Sequence, residues 1–396
     1  MVSDSIDGAE QDLTFSPTDG GPGEAFLRRV RLAHPQLGTG SGRTALVLMV
    51  VTWFPLFILC VVEGLAFGGV KIPFFYDIGA HTRFLCAVPV LVLADIPIGA
   101  RLRQVVRQFV TAHLVRTDQA GKFREAILDA LVFRDSRLAE MVVVILAYMQ
   151  SYNAVSGFSF QGGSSWFRPQ PGQGLTAVGY WYVLVTLPIF QFLVFRWAYR
   201  MVVWSRFLWK VSKLDLLLVP THPDGAGGLA FLGKGLIPFG VVLFAMSASV
   251  AGSIASQILF AGGRLEDYQW SYVALFVIAL LVFAGPTLIF VPKLLALKQR
   301  GLMEYGVLGS EYTQAFHRKW IEGQDPTEEA LLGSGDIQSL ADLGNSFQII
   351  QKMRAIPVAL GDFVAMLFPG LLPALPLAAT VMPVGEILKD LLKLVT

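Results

Sequence analysis

Apolar residues in this chain fall into long blocks separated by polar ones. Six blocks hold about 20 mainly apolar residues or more, the length that crosses a hydrocarbon core as a helix. They cover residues 44–67, 83–100, 141–160, 175–204, 229–260 and 271–295. A seventh block, 356–383, is broken by Pro357, Pro369, Pro373, Pro376 and Pro383. It is too long for one straight span and too short for two, so it predicts a span or a re-entrant hairpin. Beyond it, Ile387, Leu388, Leu391, Leu392 and Val395 share a face opposite Glu386, Lys389 and Asp390, which predicts an amphipathic end on the membrane surface. The predicted fold is all-α: a polytopic helical membrane protein with six to seven spans and a helical collar.

The polar blocks complete the layout. Residues 1–40 are acidic and rich in Ser, Gly and Pro, which predicts a disordered tail over 1–43. Residues 101–140 read as helical, with Phe123, Ile127, Leu131 and Leu138 near one stripe. The region 296–355 breaks at 323–326, and a helix then starts near Ser334 or Asp336 with Ile337, Leu340, Leu343, Phe347 and Ile350 on one face. Neither region alone can bury a large core, so both are expected to pack on the membrane surface. The chain thus divides into a tail (1–43), a six-helix domain (44–295) carrying the helical loop 101–140, a cytoplasmic helical region (296–355), and a broken membrane segment with its amphipathic end (356–396).

Composition supports the membrane assignment. Of 396 residues, 54% are hydrophobic and 15% charged, against about 25% charged in an average soluble chain. A net charge of +2 argues against a nucleic-acid partner. Both cysteines, Cys60 and Cys86, sit in apolar blocks and predict no structural disulfide. Basic residues alternate between loops. Arg101, Arg103, Arg107, Arg116, Lys122, Arg124, Arg134 and Arg137 follow the second block. Arg196, Arg200, Arg206, Lys210 and Lys213 lie at the edge of the fourth and in the loop after it, and seven more run from Lys293 to Arg354, whereas the intervening loops hold only Lys71, Arg168 and Arg264. The positive-inside rule then places the N-terminus and the basic loops in the cytoplasm.

The least generic segment joins the fourth and fifth blocks: Pro220-Thr221-His222-Pro223-Asp224-Gly225-Ala226-Gly227-Gly228. Two prolines, Asp-Gly and Gly-Gly predict a tight turn at the start of a helix. His222, Asp224, Gly225, Gly227, Gly228 and the nearby Lys234 are candidates for binding a carboxylate, phosphate or lipid headgroup on backbone N–H groups. The competing reading is a re-entry turn capped by Asp224. Gly228, Gly233 and Lys234 match part of a P-loop, but Gly235 stands where magnesium would need a hydroxyl, and nucleotide binding is not expected.

Polar groups inside the blocks are the second set of candidates, because charge in a span is costly. These are Glu63, Asp95, Arg196 and Asp362, with an Asp95–Arg196 ion pair expected from their similar depth. In the fifth block Ala245, Ser249, Ser253 and Gln257 recur every four residues, which suits either a watery path or close helix packing. No HExxH, cysteine cluster or nucleophile elbow is present. No cofactor or metal is expected.

Two stretches, residues 221–232 (THPDGAGGLAFL) and 335–343 (GDIQSLADL), resemble uncharacterised bacterial polytopic inner-membrane proteins. The resemblance implies a bacterial inner membrane and adds weight to the loop, and it implies no activity. The expected function is transport or channel activity for a small solute or ion. The alternatives are a membrane-embedded enzyme acting on a lipid or phosphorylated substrate, and a scaffold or sensor. Membrane lipids are the expected partners, an anionic ligand or headgroup is a candidate one, and homo-oligomerisation is left open.

Overall fold

The structure, a computed structural model, describes residues 15–18, 20–21, 39–160, 165–169, 174–323 and 334–378. It is an all-α membrane protein. Among the described residues, seven helical runs are long and apolar enough to cross a membrane: Ser41–Val62, Ile78–Thr111, Arg137–Ser156, Ala177–Ser212, Phe231–Phe260, Leu265–Ile321 and Leu360–Leu377. The fifth is the central one, with 61% of its apolar window buried against 17–44% in the others. On the first span Leu46, Val50, Phe54, Ile58 and Val62 form an exposed stripe four residues apart, as a helix face bathed in lipid would.

The runs differ from the apolar blocks at their ends. The second begins at Ile78, ahead of the charge at Arg83 that closes the apolar window. The sixth continues as helix to Ile321, well past residue 295. The seventh forms one helical run, and the amphipathic end lies outside the described residues. The tail expected over 1–43 is packed at 15–18, because an aromatic ring and open carbonyls meet a pocket of arginines. Phe15 is buried with its ring 5.3 Å from that of Phe207, Arg134 Nη1 donates to Ser16 O at 3.3 Å, and Arg200 Nη2 donates to Thr18 O at 3.0 Å.

Among the described residues, two spans contain a π-helical turn just ahead of a proline, and a third π-turn, His317–Ile321, ends the extension of the sixth. Thr82–Ala87 lies in the second span and Tyr182–Thr186 in the fourth. Each ends two residues before a proline, Pro89 and Pro188. A proline lacks an N–H and its ring crowds the carbonyl four residues back, here Leu85 and Leu184, so the ladder widens locally. At the basic end, the helix Ala120–Arg134 buries Phe123, Ala126, Ile127 and Ala130 and packs on the fourth span. Asp129 there meets Arg206 at 2.6 Å and Lys210 at 2.9 Å. The helix Gly335–Lys352 packs along the extension of the sixth span.

Candidate functional site

The π-turns bring their residues to one cavity. It has a volume of about 210 Å³ and lies among the second, third, fourth and fifth spans, at the end of the bundle away from the basic loops. Arg83 comes from the first π-turn and Tyr182 from the second. Arg83 donates from Nε to Ser249 Oγ at 3.2 Å, from Nη1 to Tyr182 Oη at 2.9 Å and from Nη2 to Ser253 Oγ at 3.0 Å. Its guanidinium also stands 5.6 Å from the Phe190 ring centroid. Among the described residues, every side chain that accepts from Arg83 is a neutral hydroxyl, so the charge is solvated but not neutralised.

Asp77 occupies another part of the wall. It caps the helix that opens the second span, accepting from Ala80 N at 3.1 Å. Ser256 Oγ donates to its Oδ1 at 3.2 Å and Trp166 Nε1 to its Oδ2 at 2.9 Å. Gln191 and Gln257 line the same space. The close crossing that allows these contacts depends on two glycines. A Cβ on Gly79 would stand 3.1 Å from Ser253 Cα, and one on Gly252 would stand 1.9 Å from Thr82 Oγ1 and 2.9 Å from Ile78 O. On the fifth span Gly252 thus admits the second span closely, while Ser249 and Ser253 of the small-residue stripe bind its arginine.

Of the sequence candidates, Ser249, Ser253 and Gln257 meet here. The others lie elsewhere. Glu63 Oε1 accepts from Val178 N at 3.3 Å, at the N-terminus of the fourth span. Asp362 accepts from Ala359 N at 3.0 Å and caps the seventh span at its start. Asp95 pairs with Arg200, and the expected Asp95–Arg196 pair is not formed. Arg200 lies one helical turn beyond Arg196 and reaches both carboxylate oxygens. Arg196 lines a small cavity beside Arg134, Glu140 and Gly20. Sequence reasoning missed Asp77, Arg83 and Tyr182. The available signal was the cluster Asp77, His81 and Arg83 at the head of the second apolar block.

The 222–228 loop is the other candidate. Gly225, Gly227 and Gly228 have φ of +64°, +63° and +99°, values that favour glycine. The N–H groups offered to an external anion are engaged by Asp224. Its Oδ1 accepts from Ala226 N at 2.8 Å and Gly228 N at 3.1 Å, and its Oδ2 from Ala230 N at 3.0 Å. His222 Nδ1 lies 2.9 Å from Oδ1. Arg354 closes the loop from the far side, donating from N to Gly225 O and from Nη2 to Asp224 O, both at 2.8 Å. A Cβ on Gly227 would stand 2.8 Å from Leu297 Cδ2. Lys234 is exposed, and its carbonyl accepts from Arg101 Nε at 3.3 Å. The loop thus supplies its own anion and packs against Leu297 of the sixth run and Arg354.

Burial pushes the Asp224 carboxyl up, but the N–H groups of Ala230, Ala226 and Gly228, with His222, outweigh it and hold the group below the usual carboxylate range. A lowered folded pKa stabilises above the unfolded value of about 3.9 and loses that contribution as pH falls through the folded one. Asp224→Ala should cost about 1–3 kcal/mol at neutral pH by stranding buried N–H donors. That gap should narrow as pH falls below the ordinary carboxylate range. Thermal unfolding of both proteins in detergent over a pH series checks this, and a gap that stays constant into acid refutes it.

Comparisons with family models, curated proteins and solved structures find no match to this chain.

Proposed function

We propose that the protein moves a small polar solute across the membrane and that the cavity at Arg83 is where the solute binds. One observation carries this reading: a guanidinium within a membrane span is held by neutral hydroxyls against a cavity. Charged residues within spans are costly, and such residues mark substrate paths. The π-turns that supply Arg83 and Tyr182 are helix irregularities of the kind that gather at functional sites. In the orientation set by basic loops, the cavity belongs to the outer half of a bacterial inner membrane. The helices at 120–134 and 335–352 then form a cytoplasmic collar, and lipids cover the exposed stripes.

Reconstitution tests the reading. Light scattering from proteoliposomes after an osmotic step reports entry of a panel of small polar solutes. At least one solute should enter faster than through empty vesicles, unchanged chemically. Arg83→Gln should remove that difference while still eluting as a single species. Flux that survives Arg83→Gln, or chemical turnover without flux, overturns the proposal.

A further inference from the structure

Resting on that reading of the cavity, we infer that its ligand is a small zwitterion, with its anionic group on Arg83 and its cationic group on Asp77. The cavity wall carries one full positive and one full negative charge, and the two do not pair with each other. Among the described residues, each is hydrogen-bonded by neutral groups, and each has capacity left. Arg83 uses three bonds to side chains of its five N–H donors. Asp77 accepts three bonds of about four its carboxylate can take.

The fifth span sets the spacing of the two charges. Ser253 binds the guanidinium and Ser256 binds the carboxylate. Residues three apart on a helix have Cβ atoms about 5–6 Å apart. A ligand bridging the two charges therefore carries its own opposite charges within a few bonds of each other, as an α-amino acid, betaine or aminosulfonate does. A plain anion would face Asp77 unpaired, and a plain cation would face Arg83. Ile72, Val155, Phe167 and Leu187 close the remaining wall and suit a small apolar group. At about 210 Å³ the cavity is below the roughly 300–1,000 Å³ of drug-sized sites.

The test is equilibrium binding to the purified full chain in detergent, read as the shift in unfolding temperature. The probes are the standard L-α-amino acids, glycine betaine and taurine. For each amino acid that binds, two further probes are its amide, which keeps only the cation, and its N-acetyl derivative, which keeps only the anion. At least one zwitterion should raise the unfolding temperature. Its singly charged analogues should bind about tenfold more weakly or worse, since each forfeits its charge-assisted hydrogen bonds on one side of the cavity. Arg83→Gln should erase the preference for the acid over the amide. Asp77→Asn, which retains a good helix cap, should erase the preference for the amine over its N-acetyl form. A purely structural role for either residue would move stability without moving these preferences. Equal binding of an N-acetyl derivative and its parent overturns the zwitterion and leaves an anion site. If no probe binds, the zwitterion proposal fails. Reaction of Gln257→Cys, in a background lacking Cys60 and Cys86, with a water-soluble maleimide then decides whether the cavity reading survives or falls with it.

Discussion

Asp95→Ala should cost about 3 kcal/mol and sharply lower the amount of folded protein. The Arg200 side chain is 6% exposed, and its guanidinium is held by both oxygens of Asp95 and stacks 4.7 Å from the Trp197 ring centroid. Removing one partner of a buried pair strands the other charge, at a typical cost of about 3–5 kcal/mol. The lower end applies because the Asp95 side chain keeps 26% of its surface. The same asymmetry makes Arg200→Met the milder change. It leaves a carboxylate that can reach water and a side chain that still covers Trp197. The double variant should be more stable than Asp95→Ala alone, since it strands no charge. Thermal unfolding of the three variants in detergent checks the order. A neutral Asp95→Ala, or a double variant as unstable as the two singles added, refutes it.

Gly252→Val should damage the fold and the cavity together. Even the first carbon would lie 1.9 Å from Thr82 Oγ1 and 2.9 Å from the Ile78 carbonyl, so the backbone of the second span must move away. Overpacking a close contact costs about 1–3 kcal/mol, and a branched side chain should reach the upper end. Displacement of the second span also carries Arg83 away from Ser249 and Ser253. Thr82→Ala should rescue Gly252→Ala only in part, because the Ile78 carbonyl remains in the way. Gly68→Ala, with nothing within 4 Å of its added carbon, is the control and should leave the unfolding temperature unchanged. A Gly252→Val protein as stable as the parent would show that the two spans do not cross this closely.

The spans were legible because a bilayer demands runs of apolar residues, a demand that every window of the chain reports. The glycine loop was legible because positive φ selects glycine at 225, 227 and 228. What the pattern could not supply was rotation about each helix axis. Asp95 finds Arg200 rather than Arg196, two arginines one turn apart at nearly equal azimuth, and only packing chooses between them. Arg83 marks the edge of an apolar window because a charge lowers hydropathy, yet it stands inside the helix once serines across the crossing solvate it. Asp77 and Ser256 are far apart in the chain, and no local spacing joins them.

The two π-turns have a consequence for heredity. A π-turn is an ordinary helix holding one residue more than its ladder requires. Losing a single residue within Thr82–Ala87 would restore the regular ladder and swing everything before it by about 100° relative to everything after it. Asp77 would then leave Ser256 of the fifth span and His81 would leave Trp53 of the first, although every apolar block would read as before. The same holds for Tyr182–Thr186. A descendant shortened by one codon in either place would keep its apolar helices and lose the Arg83 cavity. Among chains of this architecture, common chemistry should therefore follow the position of one-residue gaps at these two turns more closely than it follows percentage identity.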